Sequence, residues 1–215
     1  MMIKNALFDL DGTIIFSHED VLASLENAYK ALGIPFIIKN FKELIGPPLK
    51  DVILKISPDL NEDQISTLIT AFKNDYDSSE YKKTFLIPDI KELLTSLKEN
   101  KFRIFIVTNK RLRPAQRILK TLGIFDFFEE IISPDFEKNR VLKKVAMIKL
   151  LLDKHKFLSQ ETVMIGDTDQ DVYAARDNGV LSIGLLNGYG DEASIRQSQP
   201  TFVAQNIKEI QDFVF

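Results

Sequence analysis

The run Ala6-Leu7-Phe8-Asp9-Leu10-Asp11-Gly12-Thr13 sets three apolar residues directly against two aspartates, a glycine and a threonine. A short apolar run with helical segments around it reads as a strand buried in a parallel sheet covered on both faces. Asp11-Gly12 alone is a turn signal. At the end of an apolar strand, the whole string 9–13 is far more specific. Further short apolar runs lie at residues 103–107, 130–132, 163–165, 182–185 and 202–203. Amphipathic helices separate several of them: Ile90, Leu93, Leu94 and Leu97 share one face, as do Ile118, Leu119 and Leu122. Pro88 stands where a helix should start, and Gly123 and Gly179 where helices should stop. Strand and helix in alternation predict an α/β fold built on a parallel sheet.

One interval is too long for that rhythm. Thr13 and Thr108, at the ends of the first two strands, are 95 positions apart, whereas a βαβ unit closes in roughly 30 or more residues. The surplus is helical in pattern. Val21, Leu22, Leu25, Ala28, Tyr29 and Leu32 follow helical spacing behind a capping-box pattern from Ser17 to Asp20, and Ile65, Leu68, Ile69, Phe72 and Tyr76 repeat the spacing after Asn61. The expectation is a helical domain, residues 16–79, inserted into a core made of residues 1–15 and 80–215.

Composition narrows the function classes. The chain has 215 residues, 45% of them apolar and 27% charged, enough for a sizeable core. No apolar run approaches the ~18–20 residues of a membrane span, and Lys4 and Asp9 interrupt the first apolar stretch, so no membrane partner and a cytoplasmic location are expected. The absence of cysteine removes disulfides, thiolate metal sites and cysteine nucleophiles. With only two histidines, His18 and His155, a multi-histidine zinc site is disfavoured. A net charge of −3 argues against a dedicated nucleic-acid binder.

Ligands of open parallel sheets sit beyond the carboxyl ends of the strands. There the sequence offers Asp9, Asp11, Gly12 and Thr13 on the first strand, Thr108-Asn109-Lys110 on the second and Gly166-Asp167-Thr168 on the fourth, with Asp169 and Asp171 just after. Unpaired acids are costly at a half-buried sheet end, and a divalent cation lifts that cost. Asp9 and Asp167, with a backbone carbonyl near Asp11, form a hard-oxygen set suited to Mg²⁺.

These strings resemble the four motifs of the haloacid-dehalogenase-like hydrolases, in order and over the whole chain. Asp9 to Thr13 is similar to the first motif, Thr108-Asn109 to the second, Lys144 to the third, and Gly166-Asp167-Thr168 with Asp171 to the fourth. Lys143 is an alternative to Lys144, because the stretch departs from the Lys-Pro form common in the third motif; Lys144 is favoured if Val145, Ile148 and Leu152 form the buried face. The resemblance implies a Rossmann-like core of strand order 3-2-1-4-5, a Mg²⁺ ion and phosphoryl transfer. In that scheme Asp9 is the nucleophile and Asp11 the proton donor and acceptor. Gly12 admits the phosphate, Thr108, Asn109 and Lys144 bind it, and Lys144 keeps Asp9 ionised. Asp9, Asp11 and Asp167 are the metal set, with Asp171 and Thr168 behind it. Residues 98–120 carry eight basic residues and one acid, read as a solvated helix with Lys110, Arg111 or Arg113 able to edge the site.

Gly46-Pro47-Pro48 resembles the cap loop of phosphoglycolate-phosphatase-like members, which makes Gly46 and Pro47 candidates for substrate selection. Asp11 excludes the dehalogenase branch, no lysine of the insertion is singled out for phosphonate hydrolysis, and Val21 stands about where phosphomutases carry a cap histidine. The expected protein is a Mg²⁺-dependent phosphatase of a small phosphorylated metabolite, monomeric or homodimeric. Pyrophosphate and nucleotide phosphatases, a sugar phosphomutase, and a non-turnover protein that binds phosphate ligands are the alternatives.

Overall fold

The computed structural model describes residues 2–38, 40–137 and 141–215. Six parallel strands make the main sheet: β1 (Asn5–Phe8), β4 (Arg103–Val107), β5 (Glu130–Ile132), β6 (Thr162–Gly166), β7 (Leu181–Leu185) and β8 (Phe202–Ala204), in the order β5-β4-β1-β6-β7-β8. This is the expected order 3-2-1-4-5 with one strand more, the short 202–204 run pairing outside β7. A second, two-stranded sheet consists of β2 (Ile15–Phe16) and β3 (Phe85–Leu86).

The central strands are buried through their apolar residues. Ala6, Leu7 and Phe8 on β1 and Ile104 to Val107 on β4 are all fully buried. The helices of the core unit are α4 (Ile90–Glu99), α5 (Leu112–Thr121), α6 (Lys144–His155), α7 (Asp169–Asp177), α8 (Glu192–Gln197) and α9 (Ile207–Val214). On α4 the apolar face Ile90, Leu93, Leu94 and Leu97 is buried, each such side chain contributing roughly 1.5–3 kcal/mol. Gly123 and Gly179, at φ +68° and +65°, stop α5 and α7 as their positions predict.

The chain divides into two compact units, residues 1–16 with 86–215 and, inserted between them, residues 17–85. The inserted unit extends six residues past residue 79 because its last stretch is tied to its first helix. The Asp20 carboxylate accepts from the Lys83 amide at 3.0 Å and the Thr84 hydroxyl at 2.7 Å, and Tyr81 is buried edge-on to Tyr76. Ser17 therefore caps α1 (His18–Ala31) without a side-chain cap bond, and the capping box read at 17–20 does not form. The other inserted helices are α2 (Leu49–Ile56) and α3 (Glu62–Ser78), and α3 opens on a reciprocal box between Asn61 and Gln64. Leu25, Ala28 and Tyr29 of α1, Ile53 of α2 and Ile65, Leu68, Phe72 and Tyr76 of α3 build this unit's core, while Val21 and Leu22 stay half-buried. Among the described residues no helix is long and apolar enough to cross a membrane.

Candidate active site

Register brings three strand ends level. Phe8 pairs with Ile106 on one side and Ile165 on the other, so the residues after β1, β4 and β6 emerge on one rim. Asp9 continues the ladder through its amide, which donates to the Ile165 carbonyl at 2.9 Å; the Thr108 amide donates to the Ile132 carbonyl at 3.1 Å. Asp9, Asp11, Thr108, Lys144, Asp167 and Asp171 are all buried.

Lys144 is the hub of this cluster. Its ammonium donates to Asp9 Oδ1 at 2.9 Å and to Asp171 Oδ1 at 2.5 Å. It is the first residue of α6, a place where the helix dipole disfavours a cation, and the two carboxylates offset that. The buried face of α6 is Lys144, Met147, Ile148 and Leu151, whereas Val145 is 38% exposed and Leu152 only partly buried. The face expected from Val145 and Leu152 is thus displaced toward Lys144, because the lysine can enter the interior once two carboxylates receive it. Lys143 caps the helix and faces solvent.

Asp171 serves two partners with its two oxygens. Oδ1 receives Lys144, and Oδ2 accepts from the Thr168 amide at 3.1 Å and the Thr168 hydroxyl at 2.6 Å. Gly166 is required beside it, since a Cβ there would come within 2.2 Å of Asp171 Cγ. Asp167 is held through Oδ1 by the Thr13 hydroxyl at 3.0 Å and through Oδ2 by the Tyr189 amide at 2.8 Å. Gly12 takes φ +88°, and a Cβ on it would lie 2.1 Å from Asp167 Oδ2, so no side chain fits between these two strand ends.

Asp11 does not join the acid cluster with its carboxylate. The Lys110 ammonium lies 3.0 Å from Asp11 Oδ1, both side chains largely buried. Of the three basic residues at the second strand end, Lys110 pairs with Asp11; Arg111 is half-buried and Arg113 exposed. Carboxylate oxygens lying within 4.8 Å of one another come instead from Asp9, Asp167 and Asp171. The Asp171 carboxylate thus lies with those of Asp9 and Asp167, and the contribution expected of Asp11 to a metal is its backbone carbonyl.

The electrostatics call for a further positive charge. Burial pushes Asp9 up to about 8; Lys144 pulls the other way, while Asp171 and Asp167 add to the rise. Burial and then Asp171 push Asp167 up to about 7, against the bonds from Tyr189 and Thr13. Burial also opposes charge on Lys144, yet Asp171 and Asp9 hold it above the ordinary lysine value. Lys144 thus favours the charged form of Asp9, while burial and the neighbouring acids oppose it. A hard divalent cation among these carboxylates fits both the all-oxygen donor set and the missing charge.

Thr108 accepts the Lys110 amide on its Oγ1 at 3.0 Å, and Asn109 beside it is half-buried. Gly46, in the inserted unit, has φ +101° with open space around its α-carbon, and Pro48 caps α2. One contributor lies outside the sequence reading: the loop carrying Tyr189. The signal for the loop was Gly188-Tyr189-Gly190 directly after the fifth apolar run, a strand end not read for its chemistry.

A family model described as haloacid dehalogenase-like hydrolase matches residues 6–185. The chain belongs to the haloacid dehalogenase-like hydrolases. Among its relatives in this family, a phosphoglycolate phosphatase of Vibrio vulnificus is 30% identical over 221 residues, covering 99% of this chain and 96% of the relative. A pyrophosphatase of Halalkalibacterium halodurans is 27% identical, with 100% of this chain and 98% of that one covered. In fold, a haloacid dehalogenase-like hydrolase from Streptococcus pneumoniae superposes with a TM-score of 0.89 at 27% identity, over 99% of both chains.

Proposed function

We propose that this hydrolase is a Mg²⁺-dependent phosphatase of small phosphate monoesters, acting through an aspartyl-phosphate on Asp9. The observation that carries the reading is the division of labour between two aspartates two residues apart. Asp9 is paired with Lys144 beside the carboxylates of Asp167 and Asp171, and Asp11 is paired separately with Lys110. Asp9, with Lys144 beside it, serves as the nucleophile, and Asp11, held apart from that cluster, is available for proton transfer.

In the first step an Asp9 carboxylate oxygen forms a bond to phosphorus and the ester P–O bond breaks. Asp11 gives its proton to the departing oxygen. In the second step Asp11 takes a proton from water, the hydroxide forms a bond to phosphorus, and the acyl-phosphate P–O bond breaks to return Asp9 and release phosphate. Thr108, Asn109 and Lys144 bind the phosphoryl oxygens throughout, with Gly12 leaving space for them. Asp9, Asp167 and the Asp11 carbonyl would hold Mg²⁺, which would supply charge neutralisation on the phosphoryl group. Asp171 and Thr168 act from behind, Asp171 by fixing Lys144 and Thr168 by fixing Asp171.

The substrate reading is a phosphoglycolate-like ester, supported by the name and near-complete overlap of the Vibrio vulnificus relative. Inorganic pyrophosphate is the second reading, favoured by the Halalkalibacterium halodurans relative. The core acts on the phosphoryl group of any such substrate, and the inserted unit, through Gly46 and Pro47, selects the leaving group. We place the protein in the cytoplasm as a monomer or homodimer. Phosphate release from 2-phosphoglycolate, pyrophosphate and 4-nitrophenyl phosphate, each with Mg²⁺ and with chelator, tests the reading. Mg²⁺-dependent release, fastest with phosphoglycolate, is expected, and full activity in excess chelator contradicts it.

A further inference from the structure

The loop after β7 closes on the back of Asp167. The Tyr189 amide donates to Asp167 Oδ2 at 2.8 Å and the Gly190 amide reaches the same oxygen at 3.4 Å. The two flanking glycines leave no free space. A Cβ on Gly188 would lie 2.3 Å from Asp167 Cβ, and one on Gly190 would lie 1.8 Å from the Asp167 carbonyl oxygen. Both obstacles belong to a buried residue joined to a central strand, so neither can retreat. The loop is anchored at both ends. At its start the Leu186 amide donates to the Ala204 carbonyl at 2.9 Å. At its tip the Tyr189 ring is buried edge-on to Phe16, with ring centroids 5.6 Å apart.

A carboxylate needs far less than this to be satisfied. Thr13 and Tyr189 already give each oxygen a hydrogen bond. Two successive amides, two glycines stripped of side chains and an aromatic anchor together fix the orientation of the carboxylate, which is what a metal ligand requires.

We propose that residues 186–190 are the positioning element that aims Asp167 at the metal, with Tyr189 as its anchor. The inference rests on the reading of Asp167 as a Mg²⁺ ligand. Its counterpart on the opposite side is Thr13, so that the carboxylate is gripped at both oxygens while Oδ1, which accepts only from Thr13 among the described residues, keeps a lone pair for the ion.

The test is calorimetric titration of the full chain with Mg²⁺, a readout independent of turnover. Tyr189→Ala removes the ring anchor and is expected to weaken binding on the order of ten- to a hundredfold, the usual effect of losing a ligand's supporting shell. Tyr189→Phe keeps the ring and is expected to rescue binding. Gly190→Ala, which drives a methyl group into Asp167, is expected to weaken it at least as much; should that variant fail to fold, the Tyr189 pair decides. Asp167→Asn is the control. If it loses Mg²⁺ while a folded Tyr189→Ala, with a wild-type metal-free melting temperature, binds Mg²⁺ as tightly as the unmodified protein, the positioning role is overturned alone. If Asp167→Asn also binds normally, the metal reading falls and the positioning role falls with it.

Discussion

Lys144 Nζ lies 2.9 Å from Asp9 Oδ1, and the same ammonium also donates to Asp171 Oδ1, so one buried cation stands between two buried carboxylates. Removing a single partner from such a group leaves uncompensated charge in the interior. Lys144→Met is therefore expected to destabilise the fold by about 3–5 kcal/mol and to abolish turnover. Denaturant titration alongside phosphate release measures both. Loss of activity at unchanged stability would mean that the ammonium is not buried against these acids.

The same group sets the pH response of the metal-free protein. Folding raises Asp9 from 3.8 to about 8 and Asp167 from 3.8 to about 7, with burial the first cause in each case. The folded chain thus holds protons that the unfolded chain has already released. Their contribution to stability is complete below the unfolded value and is lost as pH rises through 7 and 8. Glu129 and Glu130 are lowered, so their contribution is lost only at acid pH, and Lys144 is raised, so its contribution is lost only at alkaline pH. Melting in chelator is expected to fall steadily from weakly acid to weakly alkaline pH, and saturating Mg²⁺ to flatten the curve. A metal-free melting temperature that rises over this range contradicts the charge balance drawn for the site.

Gly12→Ala offers a purely steric test. The substitution forces a side chain into φ +88° and sets Cβ 2.1 Å from Asp167 Oδ2. Left-handed strain costs about 1–2 kcal/mol, and displacement of Asp167 is expected to lower kcat far more than that strain lowers stability. Thermal melting and steady-state kinetics separate the two effects. Wild-type kcat in a folded Gly12→Ala protein would show that this close approach has no bearing on the reaction.

The insertion is tested at Gly46, where φ is +101° and a side chain meets nothing. Gly46→Val therefore acts through backbone strain in the loop that leads through Pro47 into α2. It is expected to lower kcat/KM strongly for phosphoglycolate and much less for 4-nitrophenyl phosphate. Equal losses on both substrates would assign the loop to the fold or the chemistry and remove it from specificity.

The acids at the strand ends were legible because a charge at the end of an apolar strand is a local signal: Asp9, Asp11 and Asp167 are each read from a few neighbours. The sheet order was reached only through family resemblance, and the added edge strand at 202–204 is too short for its pattern to reveal its pairing. Lys144 was harder. Helical periodicity ranks residues by hydrophobicity, and here a lysine takes an interior position that Val145 yields, because its partners Asp9 and Asp171 lie 135 and 27 residues away. Asp20 misled for the same reason, its carboxylate engaging Lys83 and Thr84 instead of capping its own helix. The 186–190 loop acts through backbone amides, which no side-chain pattern announces.

Covalent capture at Asp9 tests the central claim most directly. Wild-type protein is mixed with Mg²⁺ and 4-nitrophenyl phosphate, quenched within the first turnover and treated with hydroxylamine, which converts an acyl-phosphate to a hydroxamate. Peptide mass spectrometry then locates the product. The account predicts a hydroxamate on Asp9, absent from Asp9→Asn, which is nearly isosteric, folded and inactive. Capture at another residue, or substantial turnover by pure Asp9→Asn, would contradict it.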